Sequence, residues 1–128
     1  MAKSKSKPTE AELAILQVLW EKGACTVRQV QEVIQGQRGT GYTTTLKLMQ
    51  IMFEKGLLKR DDSGHAHIYR AAVTRKRTQK QMVGQLLDQV FEGSAKQLVM
   101  QALSSRKSTS DELAEIRELL DDLERGAK

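Results

Sequence analysis

The sequence predicts a mainly α chain with a small β-hairpin wing. Three observations lead there. Helix-start signals of the Thr-x-x-Glu/Gln type recur at Thr9/Glu12, Thr26/Gln29 and Thr109/Glu112. Apolar residues follow them at i, i+3, i+4 spacing. Only one stretch, residues 57–71, alternates in character around a turn cluster, DDSG at 61–64.

The elements follow in order. Residues 1–8, MAKSKSKP, have the composition of a flexible basic tail, in which Lys3, Lys5 and Lys7 add nonspecific charge. Thr9 starts a helix to about Lys22, with Leu13, Leu16, Leu19 and Trp20 on one face and Gly23 as its stop. Thr26 starts a second, to about Gln35, carrying Val27, Val30 and Ile34. GQRGTG, residues 36–41, reads as a glycine-rich turn. A third helix runs from about Tyr42 to Lys55, with Gly56 just past its end. Its Thr45, Leu48, Met49 and Met52 form an apolar stripe, while Thr43, Lys47, Gln50 and Glu54 form a polar one. Leu57–Arg60 and residues 65–71 read as two short strands joined by the turn.

Three short helices and a hairpin within about 65 residues is the layout of a winged helix-turn-helix domain, assigned to residues 9–73. Residues 74–128 read as all-helical. Thr74 caps a helix to about Phe91 bearing Val83, Leu86, Leu87 and Val90. Gly93 breaks it. Ser94 caps a second with Ala95, Leu98, Val99, Ala102 and Leu103. SSRKSTS, from Ser104, reads as a linker. The last helix carries Leu113, Ile116, Leu120 and Leu123 at the 3-4-3 spacing of a heptad seam. A helical unit of this size rarely folds without a staple, and no cysteine or metal cluster supplies one. These residues are therefore expected to form a C-terminal helical dimerisation domain of a homodimer.

Charge divides the chain along the same line. Residues 1–80 hold 15 Lys+Arg against 7 Asp+Glu, whereas residues 81–128 hold 6 against 9. A basic front half suits a polyanion and an acidic back half suits another task, such as self-association. Aromatic residues are only 4% of the chain, which disfavours a large aromatic-lined catalytic cavity. No Ser/His/Asp order, paired carboxylates or dinucleotide fingerprint is present, so no enzyme, catalytic residue or cofactor is expected. The single cysteine, Cys25, excludes an internal disulfide framework and multi-cysteine zinc sites. His65 and His67 alternate on one predicted strand face without a third ligand, so no metal is expected. Apolar runs are too short to span a membrane and no signal-peptide pattern follows the N-terminal charges, so no membrane partner and a cytoplasmic location are expected.

What remains is a binding surface. In a helix-turn-helix, the second helix of the motif reads base edges in the major groove. Here that assigns Tyr42, Thr43, Thr44, Lys47 and Gln50 to double-stranded DNA. Threonine can bond a base edge or meet a thymine methyl, Gln can pair with adenine, and Lys can reach guanine or phosphate. Three successive threonines are poor helix formers, and a cap accounts for one of them. Arg38 and Thr40 precede this helix and suit phosphate, as do Arg60, His65, His67 and Arg70 on the hairpin. Arg75, Lys76 and Arg77 occupy a helix first turn, which suits an external anion. Tyr69 is expected to pack beneath the hairpin. Two further readings fit the same residues: a small-molecule- or metal-responsive winged-helix regulator, and a helical protein-interaction adaptor.

TEAELAILQVLWEKG (9–23), YTTTLKLMQIMFEKGLLKR (42–60) and HIYRA (67–71) together resemble the penicillinase-repressor family. The similarity continues more weakly through EGSAKQLVMQAL and DELAEIRELLDDL. The resemblance implies a dimeric winged-helix repressor on a palindromic operator that controls antibiotic-resistance or stress genes. It places Tyr42, Thr43, Thr44 and Lys47 on the recognition helix. In the penicillinase branch a regulatory protease cuts an Asn-Phe bond after the Gly93-like break. That bond falls here at about Gln101–Ala102, whose residues differ from the family's pair. The copper-responsive branch carries a C-terminal cysteine cluster, which this chain lacks.

Overall fold

The computed structural model describes residues 7–126; most of the basic tail, including Lys3 and Lys5, lies outside them. The order is α1 (Glu10–Lys22), α2 (Val27–Arg38), α3 (Tyr42–Glu54), β1 (Leu58–Asp61), β2 (Ile68–Ala71), α4 (Arg75–Gln89), α5 (Ala95–Ser105) and α6 (Ser110–Gly126). The chain is thus mainly α with a two-stranded antiparallel wing. It divides into two compact units, Met1–Val83 and Gly84–Lys128.

Local chemistry sets the boundaries. Thr9 and Glu12 close a reciprocal capping box at the start of α1, and Thr26 and Gln29 do so for α2. The second helix is longer than the glycine content suggested. Gly36 and Arg38 lie inside it, and the turn contracts to residues 39–41, because Gly39 takes the left-handed conformation (φ 69°) and its N–H bonds the Gln35 carbonyl. At the end of α3 the Leu57 N–H donates to the Met52 carbonyl at 2.9 Å and the Gly56 N–H to Phe53 at 3.1 Å. This is a Schellman closure with Gly56 at φ 86°. It occupies the Leu57 amide, so β1 begins one residue later than expected.

The first unit's core joins Ile15, Leu16, Val18 and Leu19 of α1 with Val27, Val30 and Ile34 of α2, Met49 and Met52 of α3, and Leu57, Leu58 and Tyr69 of the wing. Two non-local polar links brace it. Lys55 Nζ lies 2.8 Å from Glu12 Oε2, joining the end of α3 to the start of α1. Trp20 Nε1 donates to the Val73 carbonyl at 2.9 Å. Thr78 of α4 is also buried in this unit. A further pairing was not legible in the sequence. Cys25, between α1 and α2, exchanges both backbone hydrogen bonds with Tyr69 of β2, at 2.9 and 2.8 Å, as an antiparallel bridge.

The second unit is different in kind. Among its described residues no side chain is buried. Leu86, Val90, Val99, Met100, Leu103, Leu113, Leu119, Leu120 and Leu123 are all exposed large hydrophobics, as is Val83 at the end of the first unit. Leu87, Leu98 and Ile116 are half-buried. The helix α5 runs through Ser104 and Ser105, which had been expected in a linker. Their hydroxyls bond the Met100 and Gln101 carbonyls one turn back, which keeps the last turn closed. No helix among the described residues is long and apolar enough to cross a membrane.

Candidate nucleic-acid interface

The third helix is two-faced, and the division falls where the periodicity placed it. Thr45, Met49 and Met52 are buried, whereas Thr43, Thr44, Lys47, Gln50, Ile51 and Glu54 are exposed. The three threonines separate by role. Thr45 is fully buried and its hydroxyl donates to the Gly41 carbonyl at 2.9 Å, which explains a threonine there structurally. Thr43 and Thr44 stand in solvent, and α3 has no side-chain N-cap. Capping therefore accounts for neither. Tyr42 opens the helix, 42% exposed, with the Arg28 guanidinium 5.3 Å from its ring centre.

Around that helix the predicted residues divide. Arg38 is exposed at the last turn of α2, inside the helix and not in a turn. Thr40 is half-buried, and its carbonyl accepts from Gln31 Nε2 at 3.5 Å, fastening the α2–α3 turn to α2. On the wing, strand β2 begins only at Ile68, so His65 and His67 sit in the 62–67 loop and share no strand face. His67 Nδ1 lies 2.8 Å from Asp62 Oδ1, and its ring meets Tyr69 edge-on. Arg60 is engaged with the wing loop and with α3. It pairs with Asp62 at 2.8 Å and lies 4.3 Å over the Phe53 ring. Arg70 is exposed.

The wing register exposes a residue that sequence reasoning missed. Lys59 pairs directly with Arg70 across the hairpin, and both are exposed. Like charges directly opposite destabilise a sheet, so this juxtaposition costs stability unless an anion lies over it. The alternation of β1 held the signal, but the register depends on the loop length, which the sequence left open. By contrast the Asp61 carboxylate is tied into the wing's own turn. It accepts from the Ser63 N–H at 2.9 Å and the Ser63 hydroxyl at 2.7 Å, which hold its pKa below the usual value. Arg75, expected to face an external anion, lies 5.5 Å over the Trp20 ring.

The penicillinase repressor family model matches residues 8–122. The chain belongs to the penicillinase repressor family. Its class is that of a DNA-binding transcriptional repressor. Among its relatives, the penicillinase repressor of Staphylococcus aureus is 20% identical over 123 residues, covering 96% of this chain and 98% of its own. The methicillin resistance regulatory protein MecI of Mammaliicoccus sciuri is 22% identical over 112 residues, covering 88% and 91%. A solved structure of reduced AbfR bound to DNA matches at 18% identity with TM-score 0.42, covering 94% of this chain and 74% of that one. Within this repressor, Gln101 and Ala102, where the resemblance set the cleaved bond, are exposed in the middle of α5.

Proposed function

We propose that this repressor acts in the cytoplasm as a homodimer that occupies a palindromic operator and blocks transcription sterically. The observation that carries the reading is the split character of α3. A helix whose buried face anchors it in a rigid core presents Thr43, Thr44, Lys47 and Gln50 outward, a set suited to base edges and phosphates. Residues 9–73 bind DNA and residues 74–128 pair the two copies. Pairing is supported by the unburied apolar surface of the second unit. Each large side chain removed from water there contributes about 1.5–3 kcal/mol. Leu86, Leu87, Val90, Leu98, Val99, Leu103, Leu113, Ile116, Leu120 and Leu123, with Val83, form the dimer seam.

Two copies of α3 then enter successive major grooves about 10 bp apart. Each half-site contact is weak alone, and the linked pair gains by effective concentration. Anything that separates the copies therefore releases the operator. Cutting by a regulatory protease in α5, near Gln101 and Ala102, is one such event. Helical backbone must open locally before a protease can engage it. The test is footprinting on DNA from the gene's own promoter region. A protected stretch of two half-sites one helical turn apart is expected, lost on Lys47→Ala. Absence of any protected stretch would refute the reading.

A further inference from the structure

We infer that Arg28, on α2 and outside the recognition helix, grips the DNA sugar-phosphate strand and is held in place for that task by Tyr42. This rests on the reading of α3 as the groove-entering helix. Three segments meet at one open groove of about 480 Å³: the α2 start (Thr26, Arg28), the α3 start (Tyr42, Leu46) and the wing loop (His65, His67). Arg28 is exposed and joins no ion pair among the described residues, whereas Lys55, Arg60, His67 and Arg125 each have a carboxylate partner. Among the described residues the Tyr42 ring lies beside it, 5.3 Å from the guanidinium carbon.

A guanidinium held over an aromatic ring by cation–π attraction spends no N–H donor on that contact, and its fork of donors matches two phosphate oxygens. The ring also limits the orientations the long side chain explores, so less freedom is lost when it binds. Arg28 lies on the first helix of the helix-turn-helix, the one that crosses the backbone while the second enters the groove. Its target is therefore phosphate, not a base. Tyr42 gains a second role: besides standing at the start of the recognition helix, it is the positioning residue for the clamp.

The experiment measures fluorescence-anisotropy titrations of the full chain on promoter DNA and on unrelated duplex, from 50 to 200 mM NaCl. Arg28→Gln should weaken both DNAs by about tenfold and lower the salt slope by about one per protomer. Arg28→Lys, which keeps the charge, should restore the slope. Tyr42→Leu should weaken binding, and adding it to Arg28→Gln should cost little more, because both act on one contact. Circular dichroism melts within about 2 °C of wild type confirm that each variant is folded. A full wild-type slope in Arg28→Gln, with Lys47→Ala still impaired, would overturn the clamp and leave the α3 reading standing. A loss confined to promoter DNA would overturn phosphate as the target. No loss in either Arg28→Gln or Lys47→Ala would overturn both.

Discussion

Removing the amine of Lys55 tests what holds α3 against the rest of the first unit. Glu12 is nearly inaccessible, its side chain 4% exposed, and its Oε2 lies 2.8 Å from Lys55 Nζ, a side chain 37% exposed. Its other oxygen accepts the Thr9 N–H at 3.0 Å. Lys55→Met keeps the aliphatic stem and leaves this carboxylate with one neutral partner. At 2.8 Å and an effective dielectric near 20 the gross attraction is about 6 kcal/mol. Water reaching Lys55 and the cost of desolvating it reduce the net loss to about 2 kcal/mol, below the 3–5 typical of fully buried pairs. For a unit this size that is a fall in Tm of about 8–16 °C. Trp20 is the only tryptophan and lies in the first unit, so its fluorescence reports this unit's melting. The double variant Glu12→Gln with Lys55→Met should melt above Lys55→Met alone, since the amide keeps the capping bond and carries no charge. A shift under about 3 °C in Lys55→Met would show that Glu12 is solvated and that the link does not brace α3.

Four other outcomes follow from the same geometry. Thr44→Ala should relax preference at one operator base pair by about 1–3 kcal/mol, read by binding to single-base operator variants, and equal loss on every variant would refute a base contact. Lys59→Thr should raise the wing's stability slightly by relieving the Lys59–Arg70 repulsion while weakening DNA binding; a more stable wing with unchanged DNA affinity would show that no phosphate lies over that pair. Burial raises the Cys25 thiol pKa despite the nearby Lys22 cation, so a thiol reagent at pH 8 should react on the order of tenfold slower with folded than with denatured protein. The Asp61 carboxylate, with its pKa lowered by Ser63, contributes stability above the ordinary Asp range. That contribution is lost as pH falls through its lowered value. Ser63→Ala, which keeps the backbone N–H and removes only the hydroxyl, should move the Asp61 titration, followed by NMR, part of the way upward; an unmoved midpoint would show that the hydroxyl adds nothing to the backbone bond.

Much of this was written in local chemistry. Capping pairs marked the starts of α1, α2 and α6, and a 3.6-residue period separated Thr45, Met49 and Met52 from Thr43, Lys47 and Gln50. What escaped was non-local. Ile15 and Val18 joined the α1 core because partners arrive from two sides of that helix, which widens its buried face beyond one stripe. The place of His65 and His67 in a loop depended on where the ladder opens, and alternation alone does not encode that. Arg28 carries no local signal of a role, because its aromatic neighbour, the Tyr42 ring, lies 14 residues away in sequence and is brought to it only by folding. Within the second unit, helix spacing located apolar faces at Leu113, Ile116, Leu120 and Leu123, but Met100 and Leu119 widen the exposed surface beyond that seam.

The bridge between Cys25 and Tyr69 has a consequence for timing. It makes the hinge between α1 and α2 a third, one-residue rung beside the hairpin, so wing and helices are stitched together before any DNA arrives. The entropy of arranging that scaffold is spent when the polypeptide folds, and encounter with the double helix begins from a finished plate. Slow amide exchange at Cys25 and Tyr69 in the free protein would be the fingerprint of that early commitment.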